Sequence, residues 1–221
     1  LAGVRINPRT NGPSRTSPLV GLTLRGVRNG VERPIKTPEN PRIGAAAWCP
    51  DAPRIGFTQT SDDGVALWVA ELATGEARAV TEPNLNAALG RAWAWLPGGE
   101  RVVVRQIVAD RPKAPEPDRV PAGPVIQESL GRPAPTRTYQ DLLQNPHDEA
   151  LFDHYVTSRI VLVGLDGTRK PIGAPGVHLS VDPSPDGKYL LVETVHRPYS
   201  YLVPLNRFPR TIAVWDLEGK E

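Results

Sequence analysis

Methionine is absent from this 221-residue chain, cysteine occurs once, and only 6% of its residues are aromatic. The single cysteine, Cys49, excludes an internal disulfide framework. No apolar run approaches the roughly 20 residues that a membrane-crossing helix needs, and no charged-then-apolar leader opens the chain. An excess of one charge is also missing. Lys and Arg number 26 against 24 Asp and Glu, a formal +2, which is too little to imply a nucleic-acid partner. Neither nucleic acid nor a membrane is therefore expected as a partner. There is no Gly-x-Ser-x-Gly and no Gly-rich phosphate loop. With Leu1 first and Glu221 falling where a turn between strands is expected, the chain is expected to be a piece of a longer polypeptide. One cysteine suits the cytoplasm and the periplasm alike.

What the chain has instead is 25 prolines and 20 glycines. A helical bundle does not tolerate so many breakers, whereas an all-β protein with frequent turns does. The clearest stretch is 179–216. Ser184-Pro185-Asp186-Gly187 reads as a turn, because Pro presets φ and Gly accepts positive φ. An apolar run, Tyr189-Leu190-Leu191-Val192, follows it, and Thr211-Ile212-Ala213-Val214 later returns with alternating faces. Strand, turn, strand, excursion, strand and Gly turn make one blade of a β-propeller.

The same unit recurs upstream. Trp48-Cys49-Pro50-Asp51 and Trp95-Leu96-Pro97-Gly98 occupy the same place in two earlier units. Aligned on Pro50, Pro97 and Pro185, the spacings are 47 and then 88 residues. The first matches the ~40–50 residues of a propeller blade, and the second equals a blade plus an insertion. The expected fold is all-β: a partial β-propeller of about three four-stranded blades plus an outer hairpin, with a Pro-rich, partly helical insertion. Its expected parts are the end of a blade (1–43, with the hairpin turning at Asn29-Gly30), a blade (44–82), a blade carrying the insertion 109–158 (90–175), and an incomplete blade (178–221). Within the insertion, Pro112, Pro115, Pro117, Pro121, Pro124, Pro133 and Pro135 predict extended chain. Two pieces have helical spacing, 138–143 with Thr138 as cap, and 148–155. A loop this long in a compact domain is functional or disordered.

Each candidate for chemistry has a plainer reading beside it. His147-Asp148-Glu149 and Asp153-His154 supply metal-ligand atom types, but a zinc site needs convergent ligands with an ordered surround, and a solvated polar helix explains them as well. No metal and no cofactor is expected. Cys49 reads as a small buried hydrophobe, and the five tryptophans as packing within or between blades. The best functional candidate is the excursion 196–210. It concentrates Arg197, Arg207 and Arg210 with no acidic residue between Glu193 and Asp216. Guanidinium recognises carboxylate through a planar fork, so Arg197 and Arg207 are expected to bind an acidic group of a substrate. Pairing with acidic residues of another domain, or plain solvation, is the alternative.

Several strings go beyond the repeat. The segment Ala2-Gly3-Val4-Arg5-Ile6-Asn7-Pro8-Arg9-Thr10-Asn11-Gly12-Pro13-Ser14-Arg15 resembles the one that opens the propeller of glutamyl-endopeptidase-like members of the prolyl oligopeptidase family. So do Arg137-Thr138-Tyr139-Gln140-Asp141-Leu142-Leu143, Asn145-Pro146-His147-Asp148-Glu149-Ala150-Leu151-Phe152 and Arg197-Pro198-Tyr199-Ser200-Tyr201-Leu202-Val203-Pro204. Ser184-Pro185-Asp186-Gly187-Lys188-Tyr189 also matches, although many propellers share such a turn. The resemblance implies a seven-bladed propeller followed by a C-terminal α/β-hydrolase domain with a Ser-Asp-His triad. The propeller would cover that active site and limit access to peptides. No triad residue matches a position in this chain. The expected partners are thus a peptide substrate, the hydrolase domain of the same polypeptide, and another copy of the chain by self-association. A non-enzymatic propeller that scaffolds protein partners is the rival reading.

Overall fold

The computed structural model describes residues 1–116 and 139–221. Pro117, Pro121, Pro124, Pro133 and Pro135, with Arg137 and the capping Thr138, lie outside the described residues.

Two short hairpins open the chain, β1 (Ile6–Asn7) with β2 (Gly12–Pro13) and β3 (Thr23–Arg25) with β4 (Glu32–Pro34). A four-stranded antiparallel sheet follows: β5 (Ile43–Trp48), β6 (Arg54–Thr60), β7 (Val65–Glu71) and β8 (Ala77–Ala79). The remaining strands form one six-stranded order: β9 (Trp93–Trp95), β10 (Arg101–Ile107), β11 (Ser158–Gly164), β12 (Arg169–Pro183), β13 (Tyr189–Val195) and β14 (Arg210–Asp216). β12 is 15 residues long and belongs to two blades. Its first half pairs with β11 as the outer strand of one, and its second half pairs with β13 as the inner strand of the next. The register slips near Ser158 and near His178 as the strand passes from one sheet to the other. The described residues are thus mostly β, with one α-helix among them, α1 (Pro146–Val156), in the insertion.

The blades stack because their strands are apolar on both faces, as buried sheets require. In β10, Val102 and Val104 point into a core shared with Val65, Leu67 and Val69 of β7. Val103 points the other way, into a core with Leu190 and Val192 of β13. β9 divides likewise, Trp93 and Trp95 to one side and Ala94 to the other. Gly56 makes room for this packing, since a Cβ there would sit 2.5 Å from the Trp93 ring. On its far side the first sheet packs Ile55 and Phe57 against Leu22, Leu24 and Ile35 around the outer hairpin. Cys49 is buried, and Trp48 is the one tryptophan left exposed.

Antiparallel alternation sorts the connections onto two ends. One end carries only short turns, at 49–53, 72–76, 96–100, 165–168, 184–188 and 217–220. These turns lock to each other: the Gly98 N–H donates to Asp51 at 2.8 Å, and Arg54 reaches Glu71 and Glu100, both at 2.7 Å. Among the described residues, the other end carries the long excursions: 80–92, the two described parts of the insertion (109–116 and 139–157), and 196–209.

The insertion departs from expectation in one place. Residues 139–143 are not helical. Asp141 adopts φ +58°, its carbonyl accepts the Gly3 N–H at 2.9 Å, and its carboxylate takes Arg5 at 2.6 Å. These contacts from far along the chain override the local apolar spacing, and Leu143 is buried without a helix.

Candidate functional site

At the excursion end, three segments remote in sequence build one cluster. α1 begins well. The Asn145 side chain accepts the Asp148 N–H at 2.9 Å, Pro146 opens the first turn, and Asp148 and Glu149 face the positive helix end. Its last turn is closed from outside. The Asn11 and Asn86 amides donate to the Tyr155 carbonyl at 2.9 and 3.0 Å, Asn86 also donates to Thr157, and Arg111 donates to His154. These are the carbonyls that a helix leaves without partners of its own.

The inner face of α1 places Phe152 and Val156 in a core with Ala2, Leu143, Leu205 and Phe208. Phe152 meets Tyr199 edge-on at 5.1 Å, and Tyr199 stacks on Phe208 at 5.3 Å. Glu149 and Asp153 lie on the same helical stripe as Phe152 and Val156, at the border of this core. Both bind Arg197, through Glu149 to one guanidinium nitrogen and through Asp153 to the other at 2.7 Å. Arg197 also lies over the Tyr199 ring at 4.7 Å, and the Tyr199 hydroxyl donates to Asp153. Hydrogen bonds from Arg197 to Asp153, and then to Glu149, hold the guanidinium still further above its already high ordinary value. Burial, with the Asp153 acceptor beside it, pushes the Tyr199 hydroxyl upward as well.

The N-terminal segment completes the cluster. Gly3 packs against Pro204, the Leu205 N–H donates to the Ala2 carbonyl at 2.9 Å, and Ala2 is fully buried. Gly3 has φ +80°, and an added Cβ would meet Pro204 at 2.9 Å, so the position needs glycine on both counts.

The structure therefore separates the arginines that the sequence groups together. Arg197 sits between two carboxylates 44 and 48 residues away. Arg210 pairs with Glu193 at 2.6 Å. Arg207 is exposed, faces the Tyr139 ring at 6.0 Å, and among the described residues has no carboxylate within ion-pair distance. His147 and His154 lie on α1, where burial and Arg111 lower the His154 pKa. Among the described residues, no three His, Cys, Asp or Glu side chains gather as metal ligands would. Sequence reasoning missed Asn11, Asn86 and the buried Arg105. Arg105 donates to the carbonyls of Leu89, Arg91 and His178, and burial draws its pKa down to about 10.

No family model matches the chain. A probable glutamyl endopeptidase, chloroplastic, of Oryza sativa subsp. japonica is 38% identical over 235 residues, covering 100% of this chain and 25% of that protein. Its namesake in Arabidopsis thaliana is 36% identical over 234 residues, covering 100% of this chain and 24% of that protein. The chain thus spans about a quarter of the length of these relatives. Among solved structures, the acylaminoacyl peptidase of Pyrococcus horikoshii is similar over 89% of this chain and 26% of that one, with TM-score 0.52 and 16% identity, a likeness of fold alone. With full-chain identity to two glutamyl endopeptidases, a propeller fold, and the strings of residues 2–15, 145–152 and 197–204 gathered at one end of it, this chain belongs to the glutamyl-endopeptidase-like subgroup of the prolyl oligopeptidase family, as a portion of its β-propeller.

Proposed function

We propose that this portion of the propeller selects which peptides reach a serine-hydrolase active site carried elsewhere on the same polypeptide, and that it favours acidic residues. One observation carries the reading. Three strings that resemble the glutamyl endopeptidases, 2–15, 145–152 and 197–204, are far apart in the sequence yet meet in one cluster at the excursion end, while the commoner 184–189 turn lies at the other end. Functional variation concentrates in loops on a rigid scaffold, and the opposite end offers only short turns. In the whole enzyme the hydrolase serine attacks the scissile carbonyl, with histidine as general base and aspartate orienting the imidazole. The propeller's share is steric selection and charge.

Two arginines supply that charge. Arg207 is exposed, faces the Tyr139 ring, and among the described residues has no carboxylate within ion-pair distance. Arg197 is held by Glu149 and Asp153, and a substrate carboxylate can take the place of one of them without leaving the guanidinium bare. The test uses the full-length protein and two peptides differing only as Glu or Gln at the cleaved residue. Arg207→Glu should lower kcat/KM for the Glu peptide about 10- to 100-fold, the worth of a hydrogen bond to a charged group, and spare the Gln peptide. Arg197→Glu should act in the same direction, with some loss of helix docking. Equal losses on both peptides would sink the acidic preference. Failure of a fluorophosphonate to label the full-length protein would sink the serine-hydrolase reading itself.

A further inference from the structure

Between β2 and the β5–β6 edge the chain walls a cavity of about 450 Å³. Residues 12–18 form one wall, and Arg42 and Thr60 form the other. The lining residues are rich in donor side chains: Arg15 and Arg42 carry guanidiniums, and Thr10, Ser14, Thr16, Ser17 and Thr60 carry hydroxyls. It contains no carboxylate. Among the described residues none of these hydroxyls has a side-chain hydrogen-bond partner, so their capacity is open to a ligand. Arg42 is fixed at its backbone: its N–H donates to the Gln59 side chain and its carbonyl accepts from Thr60 N–H, both at 3.0 Å. Among the described residues its ion-pair partner is Asp62, at 3.7 Å and largely in solvent. A second cavity, of about 360 Å³, shares Arg42 and Thr60 and continues over the apolar surface of Ile43, Val65 and Ala92.

We propose that this cavity seats a phosphate group, free or carried on a small organic body that extends over the apolar neighbour. A phosphate dianion has two charges and three terminal oxygens to share among two guanidinium forks and these hydroxyls. A carboxylate has one charge and two oxygens and leaves most of these donors without an acceptor. The cavity lies within the range of small-ligand pockets and is wider than a bare ion requires. This site is independent of the peptidase reading, because its walls come from residues 12–18 and the β5–β6 edge rather than from Arg197 or Arg207.

The test is calorimetric titration of the full-length protein with phosphoserine, inorganic phosphate and glutarate, the last a dicarboxylate control. Phosphoserine should saturate one site and bind at least about tenfold tighter than glutarate, as charge-assisted multidentate contacts allow. Arg15→Gln and Arg42→Gln should each weaken phosphoserine about tenfold or more, with unchanged melting temperatures. Arg42→Lys, which keeps the charge and loses the fork, should fall between. Arg207→Gln should leave phosphoserine binding unchanged even where it alters peptide cleavage. Inorganic phosphate binding as tightly as phosphoserine supports the site with the free ion as its ligand. Glutarate binding equally well, no saturation by either phosphate, or wild-type affinity in both Gln variants would overturn the proposal.

Discussion

His178 titrates where the fold can least accommodate a charge. It is buried on β12, with Nδ1 3.0 Å from the Thr194 hydroxyl and the Arg105 guanidinium on its own carbonyl. Burial, helped by the Arg105 charge and opposed by the Ala174 carbonyl, lowers its pKa from 6.5 to about 4. As pH falls below 6.5 the unfolded chain takes up the proton while the folded chain does not. Stability is therefore lost between pH 6.5 and 4, by about 3 kcal/mol in total, and is unaffected above that window. His178→Gln should flatten the pH dependence of the urea midpoint across that range by this amount. Parallel decline of both proteins would assign the acid sensitivity elsewhere. Nothing in the local sequence of His178 or Arg105 distinguishes them from exposed neighbours. The burial of both follows from β12 crossing between two sheets.

At the scale of elements, α1 and the 196–209 excursion hold each other in place. α1 has 11 residues, too few to persist alone in water, so its stability comes from its cap, its docked face and its closed C-terminus. Phe152 is fully buried between Tyr199 and Phe208. Phe152→Ala should cost about 3–5 kcal/mol at this site. Hydrogen exchange should then quicken in α1 and across 196–209, while the amides of β6 and β7 keep their protection. Uniform acceleration in every blade would show that the cluster is not a separate cooperative unit. The helix was legible in the helical spacing of 148–155, and the structure extends it to Pro146–Val156. The non-helical 139–143 was not, because its conformation is set by Gly3 and Arg5.

At the scale of the whole molecule, the last blade presents a wide apolar face. The register pairs Leu191 with Val214 and Glu193 with Ile212, so Tyr189, Leu191, Ile212 and Val214 share one side, and all four are exposed. β14 also forms the edge of the sheet, with a row of unpaired backbone groups. Propeller blades bury both faces against neighbours, as the two inner cores here do. The isolated 221-residue chain should therefore associate through this face, sedimenting above the mass of one chain. A double substitution, Ile212→Lys with Val214→Lys, should return it toward that mass. Monomers in both samples would remove this face as a driver of association.

The sequence by itself determined what depends on near neighbours. Pro185-Asp186-Gly187 and Asn29-Gly30 turn the chain where they do because φ is restricted or released at those residues. Alternating and continuous apolar runs placed the strands, and the 88-residue interval between Pro97 and Pro185 announced an insertion inside a blade. Only the tertiary structure decided which carboxylates meet Arg197, which amides close α1, that β12 serves two blades, and that residues 12–18 wall a donor-rich cavity with Arg42. Those pairings join residues tens of positions apart. They arise when antiparallel alternation brings the long connections to the same end, and a through-space meeting of that kind leaves no periodicity or turn signal in the chain.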